Sequence, residues 1–179
     1  MEKILVVVDM QRDFTRGALG SKEAMSIVDN VVNKIRNFDG KIIVTYDTHY
    51  EDYMTTNEGK HLPVPHCIKG TDGWNLDEKI KDALSDKQYV SIEKNTFGSK
   101  KLPEIISRML PKSYDEKSIS IEFVGLCTDI CVISNVFLAK AYYPEAEISV
   151  DAACCAGVTP ESHNAALMTM KSCHINIYN

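Results

Sequence analysis

A chain of 179 residues is long enough to bury a core of its own and short enough to form one domain, taken as residues 1–179. Hydrophobic residues make up 44% and charged residues 25%, which excludes a disordered or fibrous chain. The formal net charge of -5 and a pI near 5.5 argue against nucleic acid or an anionic membrane as the main partner.

Ile4–Val8 is a continuous apolar run closed by Asp9, the pattern of a fully buried strand. It follows Met1-Glu2-Lys3 directly and is too short for a secretory h-region. No apolar run approaches the ~18 residues of a membrane span. A cytoplasmic, reduced protein is expected, so the six cysteines read as core, metal or catalytic residues rather than a disulfide framework.

Met25, Val28, Val31, Val32, Ile35 and Phe38 mark one helical face, and Gly40 ends that helix. Lys41–Tyr46 is the next strand, ending at Asp47. Residues 48–74 are polar and irregular, and a loop this long inside a compact domain is usually functional. A short helix over Leu76–Leu84 and a strand over Tyr89–Ile92, stopping at Glu93-Lys94, come next. Pro103 is tolerated in the first turn of a helix over Leu102–Leu110.

Residues 119–126 form an apolar strand that turns at Gly125 into a helix over 129–142, with Thr128 or Asp129 as its N-cap. Glu147–Val150 is a strand ended by Asp151. Thr159-Pro160 starts a helix to about Cys173, and His174–Tyr178 is the last strand. This alternation predicts an α/β fold: a three-layer α-β-α sandwich whose six-stranded, mostly parallel sheet carries helices on both faces.

Ligands of open parallel sheets bind beyond the carboxyl ends of the strands. Asp9, Asp47, Lys94, the 127–131 turn and Asp151 are placed on that edge. Cys131 lies in the first turn of its helix, where unpaired N–H groups and the dipole favour thiolate. Asp9 can accept its proton, Lys94 supplies a counter-charge, and the Cys127 and Cys131 N–H groups are placed for an oxyanion hole. Asp47, His49 and His66, with Glu58 and His61 between them, have the composition of a catalytic zinc, iron or manganese site.

Five ordered segments carry a family resemblance: Val7-Val-Asp-Met-Gln-Arg-Asp-Phe14, Asp47-Thr-His49, Pro65-His-Cys-Ile-Lys-Gly-Thr71, Glu93-Lys-Asn-Thr-Phe-Gly-Ser99 and Gly125-Leu-Cys-Thr-Asp-Ile-Cys-Val132. The chain resembles the isochorismatase-like cysteine hydrolases, and within them the nicotinamidases. The resemblance implies a catalytic triad of Asp9, Lys94 and Cys131 with an oxyanion hole from the Cys127 and Cys131 amides. It implies one divalent metal ion, zinc first and iron or manganese otherwise, held by Asp47, His49 and His66. Glu58 is the matching fourth ligand, with His61 as the alternative because the loop is one residue longer than the family pattern.

The same resemblance implies a cis peptide at Leu126–Cys127 and an aromatic pocket wall from Phe14 and Trp74. The implied reaction is hydrolysis of nicotinamide to nicotinic acid and ammonia through a cysteine thioester, a step of pyridine nucleotide salvage. The implied partner is that small molecule, and a homo-oligomer is left open. True isochorismatases lack the cysteine and the metal residues, and ureide-hydrolysing relatives keep the triad but not the metal set. The alternatives are therefore another small-amide or ureide hydrolase of the family, or a metal-binding relative without catalysis.

Overall fold

The computed structural model describes residues 1–179. Six strands form one sheet: β1 (Glu2–Val8), β2 (Lys41–Asp47), β3 (Tyr89–Lys94), β4 (Ile119–Leu126), β5 (Glu147–Ala156) and β6 (Asn176–Tyr178). Every pairing is parallel, in the order β3-β2-β1-β4-β5-β6. The helices are α1 (Arg12–Thr15), α2 (Lys22–Asn37), α3 (Asn57–His61), α4 (Glu78–Leu84), α5 (Leu102–Met109), α6 (Ile133–Tyr142) and α7 (Pro160–Ser172).

The run Ile4–Val8 is apolar throughout because both of its faces are covered. Ile4, Val6 and Val8 enter a core with residues of α5, α6 and α7 such as Ile106, Val136 and Met170. Leu5 and Val7 face α2 and α4 through Val28, Val31 and Ile80. The Ser21 side chain caps α2 by accepting the Ala24 N–H at 3.0 Å. The buried face of α2 is Ala24, Ile27, Val28, Val31, Val32 and Ile35. Met25, placed on that face by its spacing, is instead exposed, since it is rotated about 100° from Ala24.

Chain order reverses between β1 and β4: β2 and β3 lie on one side of β1, and β4 to β6 on the other. The carboxyl ends of β1 and β4 flank that switch point, where a parallel sheet opens a crevice. Val8 lies opposite Gly125, and a Cβ on Gly125 would stand 2.2 Å from the Val8 carbonyl oxygen. Gly125 also takes φ +119, so glycine alone permits this approach of the β4 turn to Asp9.

β5 does not stop at Asp151. Three extra residues enter it where the pairing passes from Phe123↔Val150 to Gly125↔Cys155, and the strand continues to Ala156. Asp151 therefore lies inside the strand, bonded to Lys34 at 2.7 Å and Asn179 at 2.9 Å, and contributes nothing to the carboxyl edge. The chain after β4 also departs from a simple helix start. Thr128–Val132 is a wide π turn ahead of α6, and neither Thr128 nor Asp129 caps it. All six cysteines are free thiols, and no helix is long and apolar enough to cross a membrane.

Candidate active site

Asp9 leaves β1 in the left-handed region at φ 49. Thr45 of β2 holds it twice: its hydroxyl donates to Asp9 Oδ1 at 2.6 Å, and its oxygen accepts the Asp9 N–H at 3.2 Å. Lys94 Nζ, at the end of β3, lies 2.6 Å from Asp9 Oδ2. That approach is off the direction of a well-formed hydrogen bond, so buried Oδ2 has no directed donor. Lys94 Nζ also donates to Cys131 Sγ at 3.5 Å and stands 3.4 Å from Asp47 Oδ1.

All three triad side chains are buried. Burial pushes the Cys131 thiol well above its ordinary pKa; Lys94 works against this, and Asp9 and Asp47 reinforce it. Burial likewise raises Asp9, opposed by Lys94. For Lys94 itself burial disfavours the cation, but Asp9, Cys131 and Asp47 outweigh it and hold the ammonium charged. Desolvation in the sheet crevice opposes the thiolate expected from a helix start and biases the Cys131 sulfur toward the thiol form.

The metal residues converge. Asp47, His49, Glu58 and His66 each offer one ligand atom, all within 4.8 Å of one another. His49 Nε2 lies 3.0 Å from Asp47 Oδ2 and 3.5 Å from Glu58 Oε1. His66 Nε2 lies 3.5 and 3.7 Å from the same two oxygens. Ligands about 2.1 Å from a tetrahedral ion stand roughly 3.4 Å apart, so this donor set fits one. Two carboxylates with two imidazoles also match a divalent charge.

His66 Nδ1–H donates to the Val64 carbonyl at 2.8 Å, which leaves its Nε2 lone pair facing the cluster. Burial disfavours a charged His49, but Asp47 and Glu58 raise its pKa to about 9. Asp47, despite burial, is held well below the carboxylate range by His49, His66 and Lys94. The pocket therefore favours positive charge. His61 is not among the four converging residues; it is exposed and bonded through Nδ1 to the Asn57 carbonyl at 2.8 Å.

Several supporting residues carried no signal that sequence reasoning used. Buried Gln11, inside the first quoted segment, donates to the Asp47 carbonyl at 2.9 Å and accepts the Asp47 N–H at 2.7 Å. Tyr53 packs its ring 4.7 Å from His49 and 5.1 Å from His66. A cleft of about 740 Å³ opens beside the cluster and reaches His49 and Glu58, with Thr48, Tyr53, Phe97 and Ile130 in its walls.

The two aromatic residues expected in the pocket wall stand elsewhere. Phe14 is buried behind the cluster, edge-on to His66 at 5.5 Å. Trp74 packs on Tyr46 at 5.3 Å and donates to Thr48 Oγ1 at 3.0 Å. Neighbouring strand residues point to opposite faces, so the Tyr46 side opposes that of Asp47, and Trp74 lies outside the cleft lining.

The isochorismatase domain family model matches residues 3–177. The chain belongs to the isochorismatase domain family. No curated protein sequence matches it. Among solved structures, the nicotinamidase/pyrazinamidase PncA of Bacillus subtilis superimposes with a TM-score of 0.82 at 27% identity, covering 100% of each chain. The pyrazinamidase of Pyrococcus horikoshii in complex with zinc gives 0.78 at 27% identity, covering 100% of this chain and 99% of that one. The N-carbamoylsarcosine amidase of Thermoplasma acidophilum gives 0.75 at 24%, covering 100% and 96%, a likeness of fold alone.

The first two of these names are those of hydrolases acting on amides, and the Leu126–Cys127 peptide of this chain is cis.

Proposed function

We propose that this family member is a metal-dependent nicotinamidase that hydrolyses nicotinamide to nicotinic acid and ammonia. The observation that carries the reading is the contact between the two constellations. Lys94 Nζ reaches Cys131 Sγ at 3.5 Å and Asp47 Oδ1 at 3.4 Å, so one side chain separates nucleophile from ligand set. A divalent ion held by Asp47, His49, Glu58 and His66 would take a pyridine nitrogen as a further ligand and so fix the carboxamide near the thiol. Relatives named as nicotinamidase/pyrazinamidase, one of them with zinc, support the same substrate class.

Asp9 Oδ2 takes the Cys131 thiol proton as sulfur bonds to the amide carbon. The Cys127 and Cys131 N–H groups receive the oxyanion, and Lys94 compensates the charge gathered between Asp9 and sulfur. Asp9 then gives its proton to the amide nitrogen, the C–N bond breaks and ammonia leaves a thioester. Water attacks that thioester, Asp9 accepts the water proton, and the carboxylic acid departs as the thiol recovers its hydrogen.

The test is ammonia release from nicotinamide, pyrazinamide and benzamide, before and after chelation. Turnover of the two ring-nitrogen amides, lost on chelation and restored by zinc, iron or manganese, is expected. Benzamide hydrolysed as fast as nicotinamide would reassign the chain to a broader amide or ureide hydrolase. No ammonia from any amide would leave a metal-binding relative without catalysis.

Thr45→Val removes a donor that stabilises ionised Asp9. Turnover should fall on the order of tenfold, a hydrogen bond's worth, and the acid limb of kcat/KM should move to higher pH. Thr45→Ser should restore both, and a pH–rate profile of the two variants checks it.

A further inference from the structure

We propose that His163 of α7 is a positioning residue, holding the turn that carries Cys131 through a hydrogen bond to Thr128. The inference rests on Cys131 being the nucleophile. Thr128 is fully buried, and its Oγ1 lies 2.8 Å from His163 Nδ1. The turn Thr128–Val132 has no side-chain cap of its own, so its conformation depends on what grips it from outside. Cys127 and Cys131 flank the gripped residue, and any movement of Thr128 displaces both oxyanion donors.

The residues around the start of α7 form that grip at two points. Besides the His163 contact, both Asp129 carboxylate oxygens accept the Val158 N–H, at 3.2 and 3.3 Å. The first turn of α7 is fixed in place by a reciprocal cap. Thr159 Oγ1 accepts the Ser162 N–H, and Ser162 Oγ accepts the Thr159 N–H, each at 3.1 Å. A Cβ on Gly157 would stand 2.8 Å from the His163 backbone nitrogen, so the chain leaving β5 is pressed against that turn. Burial lowers the His163 pKa, with Asp129 opposing, and a neutral imidazole can accept the Thr128 hydroxyl proton at Nδ1.

The geometry distinguishes positioning from mere packing, because only the Nδ1 side of the ring is used. Asparagine places a polar atom near Nδ1, whereas glutamine places one near Nε2. His163→Ala and His163→Gln should each lower kcat on the order of tenfold with KM little changed, and His163→Asn should retain most of it. The rate of Cys131 alkylation by iodoacetamide, read by peptide mass mapping, should fall in the same order of variants. Thr128→Val combined with His163→Ala should be no worse than the poorer single variant.

Equal behaviour of the Asn and Gln variants, wild-type alkylation in His163→Ala, or additive losses in the double variant would each overturn the proposal. Alkylation needs no amide substrate. A chain that hydrolyses no amide yet shows the Asn–Gln split would retain the role of His163 while removing the nicotinamidase reading.

Discussion

Cys131→Ala should abolish turnover, by at least about 10³-fold, while leaving the chain folded and its metal site intact. The loss follows from removing the sulfur that Lys94 contacts at 3.5 Å. Burial pushes the Cys67 and Cys127 thiols above their ordinary values, and neither sulfur receives a hydrogen bond from Lys94. The fold should survive because a buried cysteine behaves as a small hydrophobe, so its loss costs about 1 kcal/mol. Asp47, His49, Glu58 and His66 make no contact through the sulfur, and zinc stoichiometry should match the wild type. Ammonia release, urea unfolding and metal content measured on one preparation check the three parts. Residual turnover within tenfold of wild type would remove the thioester mechanism.

What could be read from the sequence divides along physical lines. β1 was legible because both of its faces are buried, which leaves an unbroken apolar run, and β4 because Ile119, Ile121 and Phe123 alternate with half-buried Ser120 and Glu122 before an apolar end. Once the sheet was known to be parallel, its edge rule brought Asp9, Asp47 and Lys94 together, and all three stand there. The same rule failed for Asp151, because three extra residues in β5 leave no mark in hydropathy. Met25 failed for a related reason: one position along a helix changes the face, and an apolar neighbour of a buried alanine looks like core.

Within the site, the ligand set was legible through its donor chemistry, whereas its support was not. Gln11 and Tyr53 act through a backbone clamp and a ring contact, and both depend on where the 48–74 loop returns to the sheet. Trp74 shows the reverse error. An aromatic residue in a functional loop invites a substrate role, yet its ring covers Tyr46 on the far face of β2. A helix start that favours a Cys131 thiolate is visible in sequence, while the desolvation that opposes it belongs to the assembled crevice.

Lys94→Met should be as damaging to the fold as Cys131→Ala is to catalysis. Lys94 is the cation between two buried carboxylates, 2.6 Å from Asp9 and 3.4 Å from Asp47. Removing one partner of a buried ion pair costs about 3–5 kcal/mol, because the remaining charge is left uncompensated. Turnover should be lost as well, since Cys131 would have to ionise beside two unbalanced anions. In the wild type the ammonium is held above its ordinary pKa, so its contribution is fully present below the usual lysine range and is lost only in strong alkali.

The variant should show a steeper fall of stability with pH than the wild type. Burial already raises Asp9, and without Lys94 only the Thr45 hydroxyl opposes it. The folded variant then binds the Asp9 proton more tightly than the unfolded chain does. Its stability is greatest at low pH and falls as pH rises from the ordinary aspartate value, about 3.9, through the raised folded value. Urea unfolding of metal-free protein should therefore show a smaller deficit at pH 5 than at pH 8. Asp9→Asn in the same chain should recover part of the loss at pH 8, since it removes the stranded charge along with its lost partner. A deficit equal at both pH values, and unrelieved by Asp9→Asn, would mean that Lys94 serves the fold by packing its stem rather than by balancing charge.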